Sequence, residues 1–241
     1  MFWGKTLLTV SVLAGAAVVM ATAAQAGVVV KSSGPSAGQY PVGKKLDDAE
    51  SVVLKDGDTL TVLTNGGTRV LRGPGTQRVG ARGVSKRTAF AMLTRQQSGA
   101  RVRTGAVRGG TTGETAPINP SLWNVDVSKS GKVCLANGDT ISFWRSSFAG
   151  AKTWVLGSAV SDFHVHVQFG DGDSTTALSA EELPLAENRS YHLSSPAGGP
   201  AQDIEFILLD TVPDNPEELA VALMQNGCDN QVEQLSERMA D

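Results

Sequence analysis

The sequence predicts a mainly β protein: two small antiparallel, sandwich-like β domains, the second closed by a C-terminal helical pair. Three observations predict it. Short apolar stretches alternating with period two recur along the chain, punctuated by Asn-Gly, Asp-Gly and Gly-Pro-Gly. Glycine is abundant, 27 in 241 residues, as many turns between short strands require. Helical patterning is confined to one stretch in the middle and two near the end. With 41% hydrophobic and 19% charged residues, the composition excludes a disordered or collagen-like chain.

The first element is an export signal. Lys5 precedes an apolar run from Thr6 to Met20, and Ala24-Gln25-Ala26 supplies the small-x-small pattern of a signal-peptidase site. Residues 1–26 are therefore expected to be removed, leaving Gly27 as the first mature residue. The run is shorter than the roughly 20 residues of a spanning helix. No stop-transfer flank and no lipobox cysteine accompany it, so no stable membrane span is expected after cleavage. The expected location is periplasmic or secreted.

Residues 27–103 read as a β domain plus one helix. Ser51-Val52-Val53-Leu54-Lys55 meets an Asp56-Gly57 turn, and Asp58 to Leu63 then alternates apolar and polar. Asn65-Gly66-Gly67 is a hairpin signal leading into Thr68-Arg69-Val70-Leu71-Arg72. Gly73-Pro74-Gly75 cannot continue a central strand and marks a sharp turn. Val84 to Gln97 holds good helix formers, with Gly99 placed to end them. Residues 104–120, rich in Gly, Thr and Pro, read as a linker.

Residues 121–241 read as a second β-rich domain. Gly131–Ala136 and Asp139–Arg145 flank Asn137-Gly138, which predicts a two-residue hairpin with Cys134 opposite Ile141, on the face shared with Phe143. Further strands are expected at 153–158, 163–169, 189–194 and 203–209. Asn215-Pro216 with Glu218 predicts a capped helix. After Gly227-Cys228, Asp229 opens a last helix with Val232, Leu235 and Met239 as its apolar stripe.

Within residues 42–80, Val53-Leu54-Lys55-Asp56-Gly57-Asp58-Thr59-Leu60, Gly67-Thr68-Arg69-Val70-Leu71 and Gly73-Pro74-Gly75 carry a resemblance to the FecR-like periplasmic domain of exported bacterial proteins. The resemblance implies a β-rich envelope domain that works by contact. The family's best-known member has a cytoplasmic segment and a retained membrane span, which this sequence lacks, so its iron-signalling role is not carried over.

Two cysteines in an exported chain predict a disulfide, Cys134 to Cys228, pinning the helical pair onto the second β domain; two buried free thiols are the alternative. His164-Val165-His166 places two imidazoles on one strand face. They could ligate one metal, with Asp171 or Asp173 adding a carboxylate and His192 a third nitrogen. The competing reading is a solvent-facing strand side, with Phe163, Val165, Val167 and Phe169 turned to the core, and it accounts for both histidines. Gly170-Asp171-Gly172-Asp173 lacks the twelfth-position Glu of a calcium loop and reads as a turn. No Gly-x-Ser-x-Gly elbow, phosphate loop or dinucleotide fingerprint occurs, so no cofactor is expected.

Charge is uneven. Arg69 to Arg108 holds ten bases and no acid, whereas Asp171 to Asp241 holds fifteen acids against two bases. Arg95, Arg101, Arg103 and Arg108 could contact an anionic partner; alternatively, basic and acidic regions face each other within the molecule. Phe90 is the lone aromatic of the basic stretch, which disfavours single-stranded nucleic acid. The sequence thus reads as an exported, non-catalytic envelope module with a protein or anionic envelope partner. A metal-dependent envelope hydrolase using His164 and His166, or a small-ligand carrier, are the alternatives.

Overall fold

The structure, a computed structural model, describes residues 25–47, 49–80, 86–95, 118–147, 149–185 and 190–240. Of the expected leader only Gln25 and Ala26 fall within them, and of the expected linker only residues 118–120. The chain begins with β1 (Gln25–Ser33), β2 (Lys45–Asp47), β3 (Ser51–Leu54), β4 (Thr59–Thr64), β5 (Gly67–Arg72) and β6 (Gly75–Arg78).

β4 and β5 pair across the two-residue loop Asn65-Gly66, with Thr64 opposite Gly67, as the Asn-Gly signal predicts. β3 and β6 prolong the same two arms and pair with each other in a separate two-stranded sheet. The long hairpin bends between the sheets, where the Gly73 N–H donates to the Asp58 carbonyl at 3.0 Å. Gly73 must be glycine there, because a Cβ would lie 1.9 Å from the Lys55 carbonyl oxygen. β1 and β2 complete a four-stranded sheet in the order β2-β1-β4-β5. Val29, Leu46, Leu60, Val62 and Leu71 of this sheet share one core with Val52, Leu54 and Val79.

Asp58 holds the bend. Its buried carboxylate accepts the Ser36 N–H through Oδ1 (2.9 Å) and the Lys55 N–H through Oδ2 (2.5 Å). Burial pushes its pKa up, but the hydrogen bonds from Ser36 and Lys55 outweigh that and hold it below the usual carboxylate range. A depressed carboxylate contributes stability that is complete above its unfolded pKa and is lost as pH falls through its folded one. Asp58→Asn, which sets an NH2 group against one of the two N–H donors, should lower the thermal midpoint at neutral pH. The loss should shrink as pH drops through the acid range, and melting curves at several pH values check it.

The second half supplies α1 (Arg87–Thr94), β7 (Val125–Asp126), β8 (Gly131–Leu135), β9 (Thr140–Trp144), β10 (Lys152–Ser158), β11 (His164–Phe169), β12 (Thr175–Ser179), β13 (Ser190–Ser194), β14 (Gln202–Leu208), α2 (Pro216–Gln225) and α3 (Asp229–Ala240). Strands β10 to β14 match the expected ones to within a residue or so where they were foreseen; β7 and β12 were not foreseen. A five-stranded sheet, β11-β10-β13-β14-β8, faces a three-stranded one, β12-β9-β7. Between them pack Ile141, Phe143 and Leu178 from one side and Trp154, Leu156, Val167, Phe169, Tyr191 and Phe206 from the other.

The hairpin expected at Asn137-Gly138 does not form. β8 instead runs parallel to β14, with Cys134 opposite Ile207, while β9 pairs with β12 and runs parallel to β7. The chain crosses from one sheet to the other at this turn. Burial explains the choice. Leu135 faces the sandwich core with Ile141 and Phe143, whereas Cys134 points the opposite way, into the helical layer. Cys134 therefore shares no face with Ile141 and Phe143.

The helices form a layer against both β regions. One core gathers Val28 and Leu63 from the first sheet, Phe90 and Leu93 from α1, and Leu219, Leu223, Val232, Leu235 and Met239 from α2 and α3. Asn215 caps α2 by accepting the Glu218 N–H at 2.8 Å, with Pro216 at the first position, as expected. Thr68 Oγ1 donates to the Ser236 carbonyl (2.6 Å), tying α3 to β5.

The expected disulfide is present: Cys134 and Cys228 are bonded, with a Cα–Cα distance of 5.9 Å, and both are fully buried. Beside it, the buried Gln231 side chain acts as a substitute strand for the outer edge of β8. Its Oε1 accepts the Cys134 N–H (2.7 Å), and its Nε2 donates to the Cys134 and Leu122 carbonyls (2.8 Å each). An edge whose backbone groups would otherwise be buried unpaired is thereby satisfied.

Candidate functional site

Strand alternation in β11 and β13 sends one side of each inward and leaves the histidines outside. Along β13, Tyr191 and Leu193 are buried while Ser190, His192 and Ser194 are exposed. Along β11, Val167 and Phe169 are buried while His164, His166 and Gln168 are exposed. The solvent-facing strand side expected for the two histidines is thus what the structure shows.

Register brings the third histidine to the same place. Gly157 in β10 lies opposite His164 on one side and His192 on the other. Directly paired residues project to one face of a sheet, so all three histidines of the chain share the outward face. Gly157 stands between two of them with no side chain. A Cβ added there would meet only the Phe163 carbonyl, at 4.0 Å.

Two of the three rings are oriented through Nδ1. His192 Nδ1 lies 2.5 Å from Asp203 Oδ1, its cross-strand neighbour on β14. His164 Nδ1 lies 3.3 Å from the Asp162 carbonyl. A carbonyl and a carboxylate only accept, so Nδ1–H is the donor in both, and in the neutral tautomer the Nε2 lone pair points elsewhere. The His164 and His166 ring centroids are 5.7 Å apart.

The carboxylates proposed beside them are elsewhere. Asp171 and Asp173 lie beyond Phe169, in the turn at the opposite end of β11 from His164. There Asp171 Oδ1 accepts the Gly150 N–H at 2.8 Å. The turn is organised by Arg145, 2% exposed, which donates to the carbonyls of Asp173 (2.8 Å), Gly150 (2.8 Å) and Gly170 (2.9 Å). Burial lowers the Arg145 pKa, and Asp173 and Asp171 oppose the shift.

Arg95 is exposed at the end of α1; Arg101, Arg103 and Arg108 lie outside the described residues. Within the basic stretch, the Arg69 guanidinium donates to the carbonyls of Arg78, Val79 and Gly80 at 2.8–3.0 Å, a structural use. Arg87 of the basic stretch lines a cleft together with Lys45 and with Asp214, Glu217 and Glu218 of the acidic one.

Sequence reasoning missed Asp203 and Gly157. Alternation places each on a strand, but only the pairing of β10, β13 and β14 makes them neighbours of histidines. No family model, curated protein or solved structure matches this chain.

Proposed function

We propose that the protein is an exported module of the cell envelope that works by contact, presenting the outward face of β11, β10 and β13 to a protein or anionic envelope partner. The observation that carries the reading is the disulfide-locked scaffold beside that face: Cys134–Cys228 fixes the helical layer to the β8 edge of the same sheet, on the side that displays the histidines. Such a bond persists in an oxidising compartment, and Ala24-Gln25-Ala26 supplies the route to one. Among the described residues no helix is long and apolar enough to cross a membrane. The segments that resemble the FecR-like domain make up the bent hairpin of β3 to β6, and the envelope setting of that family agrees with the reading.

A hydrolase reading would draw a carboxylate from Asp171 or Asp173, which sit at the wrong end of β11. A carrier reading would need an apolar pocket, and the cleft between α1 and α2 is lined with charged groups. Photo-crosslinking residues placed at Thr153 and Gln168, both exposed on the outward face, test the proposal in cells. The expected result is a discrete adduct from these positions in the periplasmic fraction and none from Val42, exposed on the first β region. Full-length protein with reduced thiols in the cytoplasm would overturn export. Equal labelling from all three positions would overturn the assignment of the face.

A further inference from the structure

We propose that His164, His166 and His192 form a binding site for one divalent transition-metal ion, of the zinc class, above Gly157. The inference rests on the same face as the contact reading but needs neither export nor a partner.

Spacing comes first. Two imidazoles bound to one tetrahedral zinc, with Zn–N near 2.0–2.1 Å, have ring centroids about 5 Å apart. His164 and His166 already stand at 5.7 Å, with planes inclined by 53°. The third ring is within reach. Two strand spacings put the Cα atoms of His164 and His192 about 10 Å apart, and a ring bound through Nε2 holds its metal about 6 Å from its own Cα. The arms therefore meet midway, over the one residue in that row without a side chain.

Chemistry agrees with spacing. A metal-ligating histidine commonly donates its other ring N–H to a carboxylate or a backbone carbonyl, which fixes the tautomer and aims the ligating nitrogen. His192 has Asp203 in that role, and His164 has the Asp162 carbonyl. Among the described residues no three such side chains are already closed to metal-holding distance. Binding requires the rings to turn about their side-chain torsions, and the exposed Asp203 side chain to turn with His192 so that the pair is kept.

Titration of the mature, disulfide-bonded protein with zinc chloride, followed by calorimetry and by the histidine ring signals in NMR, tests the site; purification must avoid a polyhistidine tag. One ion per chain is expected, with all three histidine rings perturbed. His166→Ala should weaken binding by at least about tenfold, and Asp203→Asn by about tenfold through loss of orientation. Gly157→Val removes no ligand, and strands accept valine well. It should leave the melting temperature unchanged or raised while weakening binding to a similar extent, because its side chain fills the space where the rings converge. No zinc binding, binding indifferent to His166→Ala, or full affinity in Gly157→Val would overturn the site. Each of these results leaves the crosslinking outcome untouched, so the site and the contact reading fail separately.

Discussion

Replacing both cysteines, Cys134→Ala with Cys228→Ala, should lower the stability of the protein by about 3–5 kcal/mol. The bond closes a loop of 94 residues, and the chain-entropy model gives between about 4 and 5 kcal/mol for loops of that size. Both sulfurs also fill fully buried space in the core shared by α2, α3 and the first sheet. Against a total of about 5–15 kcal/mol for a typical domain, the loss is a large fraction. Urea unfolding measures it as a fall in the midpoint. Hydrogen exchange should locate it: amides of α2 and α3 should lose more protection than those of the β4–β5 hairpin, because the bond anchors the turn between the helices to β8. Gln231 still pairs with the Cys134 backbone in the variant, so the edge of β8 keeps one attachment. A loss below about 1 kcal/mol would mean that Gln231 and the apolar contacts of α3 fix the helix unaided.

Local chemistry was legible in the sequence, and partnership between distant strands was not. Two of the three Asn-Gly dipeptides show the division. Asn65-Gly66 joins strands that pair, whereas Asn137-Gly138 joins strands that part into different sheets. The dipeptide states that the chain turns. Which sheet receives the next strand depends on where Cys134 and Leu135 find their cores, and both faces of that end of β8 are buried. The parallel pairing of β8 with β14 brings together segments some 70 positions apart, which no periodicity announces. The disulfide was legible for a different reason: two cysteines leave one intramolecular pairing. The outward position of His164 and His166 followed from alternation within one strand. Their proximity to His192, and Asp203 behind it, came from register across three further strands. Buried polar residues were the least visible, since Gln and Arg are read as surface residues by default.

Arg145 is the strongest of these, and Arg145→Met should cost about 2–4 kcal/mol. The guanidinium sits just past the end of β9, in the three-stranded sheet, and reaches the turn that follows β11, in the five-stranded one. It bridges the two layers of the sandwich through three carbonyl oxygens and lies over the Phe169 ring at 5.1 Å. Methionine fills similar apolar volume but removes the charged donor from all three carbonyls, of which that of Gly170 keeps the Asp173 N–H at 3.2 Å. Hydrogen bonds from a charged donor are worth about 1.5–3 kcal/mol each. Arg145→Lys should recover less than half of the loss. Its single ammonium lacks the planar fork that serves several acceptors at once and stacks on an aromatic face. Asp171→Ala is the companion measurement, because it removes one hydrogen bond to the same turn from an exposed side chain and should cost less than about 1 kcal/mol. If Arg145→Met and Asp171→Ala fell together near zero in urea unfolding, the turn would be held by its own backbone. The Gly170-Asp171-Gly172-Asp173 sequence would then carry no structural demand that explains its two acidic residues.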